Sequence, residues 1–134
     1  MSKLKGIDGE ITRQSIFTRV VTHLLTQKSP AADDGQCFYR CDDGKQCAVG
    51  CLIPDALYSD TFEYKGISGL CRVLKESSDT QEIELGNTLE ENGELLLTLQ
   101  ALHDTVSAVS WQARLSGLAV SLNLEMPFDY KEKT

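Results

Sequence analysis

At 134 residues the chain has the size of one domain, long enough to bury about two-thirds of its unfolded surface without covalent staples. Hydrophobic residues at 41% and charged residues at 25% fit a folded globular chain and exclude global disorder. No apolar run approaches the ~20 residues of a membrane-spanning helix, so no membrane association is expected. The net charge of −7 is unevenly spread: residues 1–40 hold six bases and four acids, whereas residues 71–134 hold five bases and eleven acids.

Residues 1–11 carry two glycines and mixed charge and read as a loosely held arm or a short edge strand. The two lysines near the N-terminus precede no apolar core, so no secretory signal is read and the expected location is cytoplasmic. From Thr12 the pattern changes. Ile16, Phe17, Val20, Val21, Leu24 and Leu25 recur with helical period and predict a helix over about Arg13–Gln27, with Thr12 as its N-cap. Lys28 to Gln36 then holds Pro, Ser, two Asp and Gly, which reads as a loop.

The central stretch, Cys37 to Asp55, contains four of the five cysteines. Cys37-Phe38-Tyr39-Arg40-Cys41 has strand-like content, and Asp42-Asp43-Gly44 supplies a reversal, so a short β-hairpin returning through Lys45-Gln46-Cys47 is expected. Cys47 to Ile53 fits either a strand or a helix; a short buried helix ending at Pro54 is favoured, with Gly50 allowing another element to come close. The run Lys45-Gln46-Cys47-Ala48-Val49-Gly50-Cys51-Leu52-Ile53-Pro54-Asp55, flanked by Tyr39-Arg40 and Leu57-Tyr58, resembles a stretch that recurs in small uncharacterised proteins of phages and bacteria. The likeness extends through Leu99 to Asp104 and Trp111. It implies a small helix-rich fold and a mobile-element origin, and it assigns no activity and no catalytic residue.

Ile67, Leu70, Cys71 and Leu74 predict a second helix over about Gly66–Glu76. Ser77 to Thr88 is polar and acidic, with Gln81 to Leu85 as a brief extended segment and Gly86-Asn87 as a turn. Leu95, Leu96, Leu99, Leu102 and Val106 mark a helix from about Gly93. Trp111, Leu115, Leu118, Ala119 and Leu122 mark a last one over about Ser107–Leu122. Residues 129–134 read as a loose tail. The expected fold is a single α+β domain over 1–134, mostly helical, with about four helices around one core and the short β-hairpin inserted after the first.

Four thiolates at Cys37, Cys41, Cys47 and Cys51 have spacings a tetrahedral zinc site can use. The C-x2-C turns of zinc ribbons and knuckles are absent, and a chain of this length folds without metal. Buried thiols are therefore the first expectation, with no cofactor, and zinc is the alternative. Reduced cysteines suit a cytoplasmic protein, so a disulfide framework is not expected. Cys47 could act as a nucleophile with His103 as base and Asp104 or Asp55 as orienter, but the His-Asp pair is more often a helix terminus.

Glu76, Asp79, Glu82, Glu84, Glu90, Glu91 and Glu94 lie in a stretch with no Lys or Arg. That argues against direct nucleic-acid binding, which depends on cations replacing counterions. The stretch reads as a solvated face, or as a surface that docks on a basic partner. The function expected is a non-enzymatic accessory protein of phage or prophage origin that binds a host protein. Its contact residues would be Glu82, Glu84, Glu90, Glu91 and Glu94, or Tyr39 and Arg40 of the hairpin. The alternative is a small cysteine-site protein, zinc-stabilised or using Cys47 as a thiol nucleophile.

Overall fold

The computed structural model describes residues 4–33 and 36–127; the side chains of 33, 36 and 37 lie outside the described set. The chain winds as α1 (Arg13–Gln27), α2 (Ile67–Lys75), α3 (Thr80–Glu91), α4 (Gly93–Thr105) and α5 (Trp111–Leu122), with short 3-10 turns between α1 and α2 and before α5. The expected residues 129–134 tail lies outside the described residues, as does the start of the N-terminal arm.

α1 begins as its sequence dictates. The Thr12 hydroxyl accepts from the Ser15 amide while the Ser15 hydroxyl accepts from the Thr12 amide, so two otherwise orphaned donors are satisfied reciprocally. Its apolar face, Ile16, Phe17, Val20, Val21 and Leu24, is fully buried and forms the middle of the core. α4 contributes Leu95, Leu96, Leu99 and Leu102, and α5 contributes Trp111, Leu115 and Ala119. α2 and α3 pack closely on one another, with Leu70 and Leu74 meeting the side of α3 that holds Leu85 and Leu89.

Three expectations are corrected. The fold is helical, not α+β. Extended pairing among the described residues is confined to two-residue rungs, Ala32–Asp33 with Gln36–Cys37, and one isolated bridge between Arg40 and Gln46. These are far short of the ~5 residues of an ordinary strand. The hairpin fails because the Tyr39 and Arg40 amides donate to the Glu63 carboxylate at 2.9 and 3.1 Å instead of to a neighbouring strand. Asp42-Asp43-Gly44 is a turn only, closed by Cys41 and Lys45.

The second correction concerns Gln81 to Asn87, which is neither extended nor a turn. It belongs to α3, whose N-terminus is capped by Asp79 accepting from the Gln81 and Glu82 amides. The third is smaller: the buried helix expected before Pro54 is a single 3-10 turn, Gly50–Leu52.

Candidate functional site

Cys47 through Ile53 is buried at every position, each at 1% exposure or less where the side chain is apolar. An irregular run in that position must satisfy its backbone polar groups from elsewhere, because water cannot reach them. The geometry shows how this is done.

α1 supplies three side chains to this run and its entry. His23 Nε2 donates to the Gln46 carbonyl at 2.7 Å, Gln27 brackets the Gln46 amide and carbonyl, and Arg19 Nη2 donates to the Cys51 carbonyl at 2.8 Å. α4 supplies Gln100, whose Oε1 accepts from the Val49 amide at 3.1 Å. Arg40 Nη2 donates to the Ile53 carbonyl, and the Lys5 amide donates to the Leu52 carbonyl. Within the turn, Cys47 Sγ accepts from the Gly50 amide at 3.2 Å and the Cys51 thiol donates to the Ala48 carbonyl at 3.2 Å. Both thiols thus serve as short-range caps for a turn that lacks Ser or Asp.

Their environment makes them poor nucleophiles. Burial pushes the Cys51 thiol up to about 12, against weaker opposing pulls from Arg19 and Lys5, and it pushes Cys47 higher still. A thiolate is the reactive form, so neither sulfur is activated at neutral pH. Cys71, on the buried face of α2, is also raised, chiefly by burial. Among the described residues no group of three or more His, Cys, Asp or Glu side chains converges on a point that could hold a metal. The Cys37 side chain, one of the four proposed ligands, lies outside the described residues.

His103 and Asp104 are adjacent in function as in sequence, but for the fold. His103 is 2% exposed and stacks on Trp111 with ring centroids 5.7 Å apart. Its Nε2 accepts from the Ala31 amide at 2.9 Å, so the ring proton sits on Nδ1, which donates to Asp104 Oδ1 at 2.8 Å. The same Asp104 oxygen accepts from Gln100 Nε2. Gln100 therefore links the His-Asp pair to the buried Val49 amide. Both imidazole nitrogens are engaged away from Cys47, and the structure does not assemble a Cys47-His103 nucleophile and base.

Tyr39 and Arg40 are not a surface. Tyr39 is 7% exposed and its hydroxyl donates to the Lys65 carbonyl; burial raises its pKa. Arg40 lies over the Tyr58 ring at 4.5 Å and pairs with Asp55 at 2.9 Å, while the Tyr58 hydroxyl donates to Glu63. Lys5 meets the same Asp55 oxygen at 2.9 Å, and these two cations hold the Asp55 carboxyl below its ordinary range.

The acidic residues are divided by α3 and α4. Glu90 pairs with Lys75 at 2.6 Å. Glu82 stands in the first turn of α3, where the helix dipole favours a carboxylate. Glu84 and Glu91, two turns apart, share the side of α3 opposite Leu85 and Leu89. Glu94 opens α4 and lies beside Arg13 and Leu122.

Reading the sequence alone identified the cysteine cluster but not the side chains that hold it. Arg19, Gln27 and Gln100 carried no signal of their own. A seven-residue apolar run with no clear period was the available clue, since such a run needs polar partners from other elements. No helix among the described residues is long and apolar enough to cross a membrane. No family model, no curated protein and no solved structure matches the chain.

Proposed function

We propose that the protein is a non-enzymatic accessory protein, of the phage or prophage origin its central stretch implies, that binds a host protein with a basic surface. The outer face of α3 is the contact. The observation that carries the reading is the placement of Glu84 and Glu91 on one line of that helix, with Leu85 and Leu89 buried on the other. No Lys or Arg interrupts residues 76–94, and Lys75, the nearest in sequence, is drawn to Glu90.

Support comes also from the interior. The Cys47 and Cys51 thiols, both histidines and the Gln100-Asp104 pair are occupied with backbone and with one another, which favours surface recognition as the use of the chain. Complementary charge would speed and orient the encounter, and a few packed residues would set its lifetime.

The test is comparative capture of bacterial proteins on immobilised wild type and on a Glu84→Lys/Glu91→Lys double variant, read by quantitative mass spectrometry. A partner of basic surface should be lost on the variant, and should weaken on the wild type as salt rises from ~0.1 M toward ~1 M and the Debye length falls from about 10 to 3 Å. Identical captures on both baits would overturn the reading. Cys47→Ser and Cys51→Ser baits should change stability and leave the captured set unaltered.

A further inference from the structure

α3 and α4 meet at a single residue. Asn92 ends the first helix, its amide donating to the Thr88 and Leu89 carbonyls, and opens the second, its carbonyl accepting from the Leu96 amide at 3.0 Å. Its side chain turns back over α3: Nδ2 donates to the Thr88 carbonyl at 2.9 Å, and the side chain does not cap α4. The next residue is Gly93.

The fold does not demand that neighbour. A Cβ built on Gly93 meets nothing within 4 Å and its φ is not left-handed, while glycine is the poorest helix former after proline. What glycine supplies is an unshielded backbone nitrogen next to a side-chain amide. Of the three asparagines, Asn87 precedes Thr88 and Asn123 precedes Leu124, whose side chains crowd the same approach; Asn92 alone precedes glycine.

A side-chain amide in this position is open to attack by the nitrogen of the following peptide. A bond forms between Gly93 N and Asn92 Cγ as the Cγ–Nδ2 bond breaks; the Gly93 nitrogen gives up its proton and the amide leaves as ammonia. Water then opens the five-membered succinimide at Cγ, giving aspartate, or at the main-chain carbonyl, giving isoaspartate. The net change is one water taken up and one ammonia released. Ring closure requires Gly93 N to swing into line with the Asn92 Cβ, at a ψ of about −120° for an L residue. Here ψ is 21°, well over a third of a turn away. Reaching the reactive value takes the Asn92 carbonyl off the Leu96 amide and turns α4 relative to α3, and α4 is anchored by the buried Leu95, Leu96 and Leu99.

We propose that Asn92-Gly93 is a site of spontaneous deamidation controlled by opening of the α3–α4 junction. The closed junction holds the nitrogen and the side-chain carbonyl apart, and the chain reacts only while the junction is open. Neither product restores the same structure. A carboxylate cannot donate to the Thr88 carbonyl, and it adds a charge between Glu91 and Glu94. The isoaspartyl product also lengthens the main chain between the two helices by one carbon.

The full chain is held at about pH 8 and about 37 °C in buffer and, in parallel, in about 6 M guanidinium chloride, and peptide mapping with fragmentation reads deamidation as a gain of about 1 Da at a named asparagine. The denatured sample should react at Asn92 ahead of Asn87 and Asn123, and the folded sample at least ~tenfold more slowly at the same site. Below the unfolding transition, the folded-state rate should rise with denaturant more gently than global unfolding does, because opening one junction exposes less surface. Gly93→Ala, which has open space for its methyl group, should keep the helical circular dichroism and slow the reaction in denaturant at least ~tenfold. Equal rates in buffer and in denaturant overturn the proposal, because the junction then protects nothing. A denaturant dependence equal to that of global unfolding overturns it by moving the control to the whole chain, and a Gly93→Ala variant that reacts as fast as the wild type overturns the role of the glycine.

Discussion

The carbonyl of Tyr39 occupies the space in which a side chain on Gly50 would have to begin. The Cys47 amide donates to that same carbonyl, so the segment before Cys41 and the buried 3-10 turn are locked together at one peptide group. Neither side can yield easily, because both Gly50 and Tyr39 are buried. Gly50→Ala should therefore cost at least the ~3 kcal/mol at the upper end of overpacking, although alanine is the smaller perturbation at most sites. Urea unfolding followed by circular dichroism checks this; a loss below about 1 kcal/mol would mean that the two segments separate freely.

The thiols supply a second prediction. Because burial raises both Cys47 and Cys51, a disulfide-exchange reagent at neutral pH should modify them only as fast as the chain opens. Cys47→Ala removes the acceptor of the Gly50 amide and leaves a small void, and should destabilise by about 1–3 kcal/mol. A chelator in excess should leave the thermal midpoint unchanged. A fall of several degrees on chelation would instead show that the cysteine cluster, Cys37 included, holds a metal.

His23 gives the fold a dependence on pH of known direction. Burial is the largest cause lowering its pKa, with Arg19, His103 and Lys5 adding repulsion and the Gln46 bond opposing them. In the unfolded chain the ring takes its proton near pH 6.5, and in the folded chain only at lower pH. Below about 6.5 the unfolded state thus binds more protons, so His23 contributes fully above that value and its contribution is lost as pH falls toward the folded pKa. Asp55, whose pKa is lowered by Lys5 and Arg40, loses its contribution as pH falls through the ordinary Asp value of ~3.9, well below where the His23 effect begins. The thermal midpoint of the wild type should therefore fall from about pH 6.5 downward, and His23→Gln should flatten that slope. Equal slopes in the two proteins would assign the acid sensitivity to another group.

How much of this was legible in the sequence differs by element. α1 was readable to the residue because its period, its Thr12 cap and its loop all agreed. α3 was not, because Gln81-Glu82-Ile83-Glu84-Leu85 alternates polar and apolar and so imitates a strand. Its helical period rests on Leu85 and Leu89, with Gly86 between them pressed so closely on α2 that a Cβ would meet Leu74, Lys75 and the Cys71 carbonyl. That contact belongs to tertiary packing and leaves no local trace. The cysteine spacing marked the right stretch without showing how it is held. The Cys47 and Cys51 thiols bond within their own turn, and the residues that matter to it, Arg19, Gln27 and Gln100, come from helices far away in sequence.

Tyr64 carries the last prediction. The Lys65 amide donates to the Phe62 carbonyl at 3.3 Å, Glu63 has φ −64° and ψ 150°, and Tyr64 has φ 68°. This is a type II turn with a bulky residue at the position that favours glycine or asparagine, and the left-handed conformation costs a side chain of this kind about 1–2 kcal/mol. Little is returned by packing, since the ring is 77% exposed and meets Phe38 edge-on at 5.8 Å. An exposed aromatic pair of this sort contributes about 0.5–1.5 kcal/mol at most. Tyr64→Gly should thus raise stability by ~0.5–1 kcal/mol, a few degrees in thermal midpoint for a domain of this size. A lowered midpoint would show that the Phe38 contact outweighs the backbone strain, and Tyr64→Asn, which tolerates the same conformation, would then fall with it.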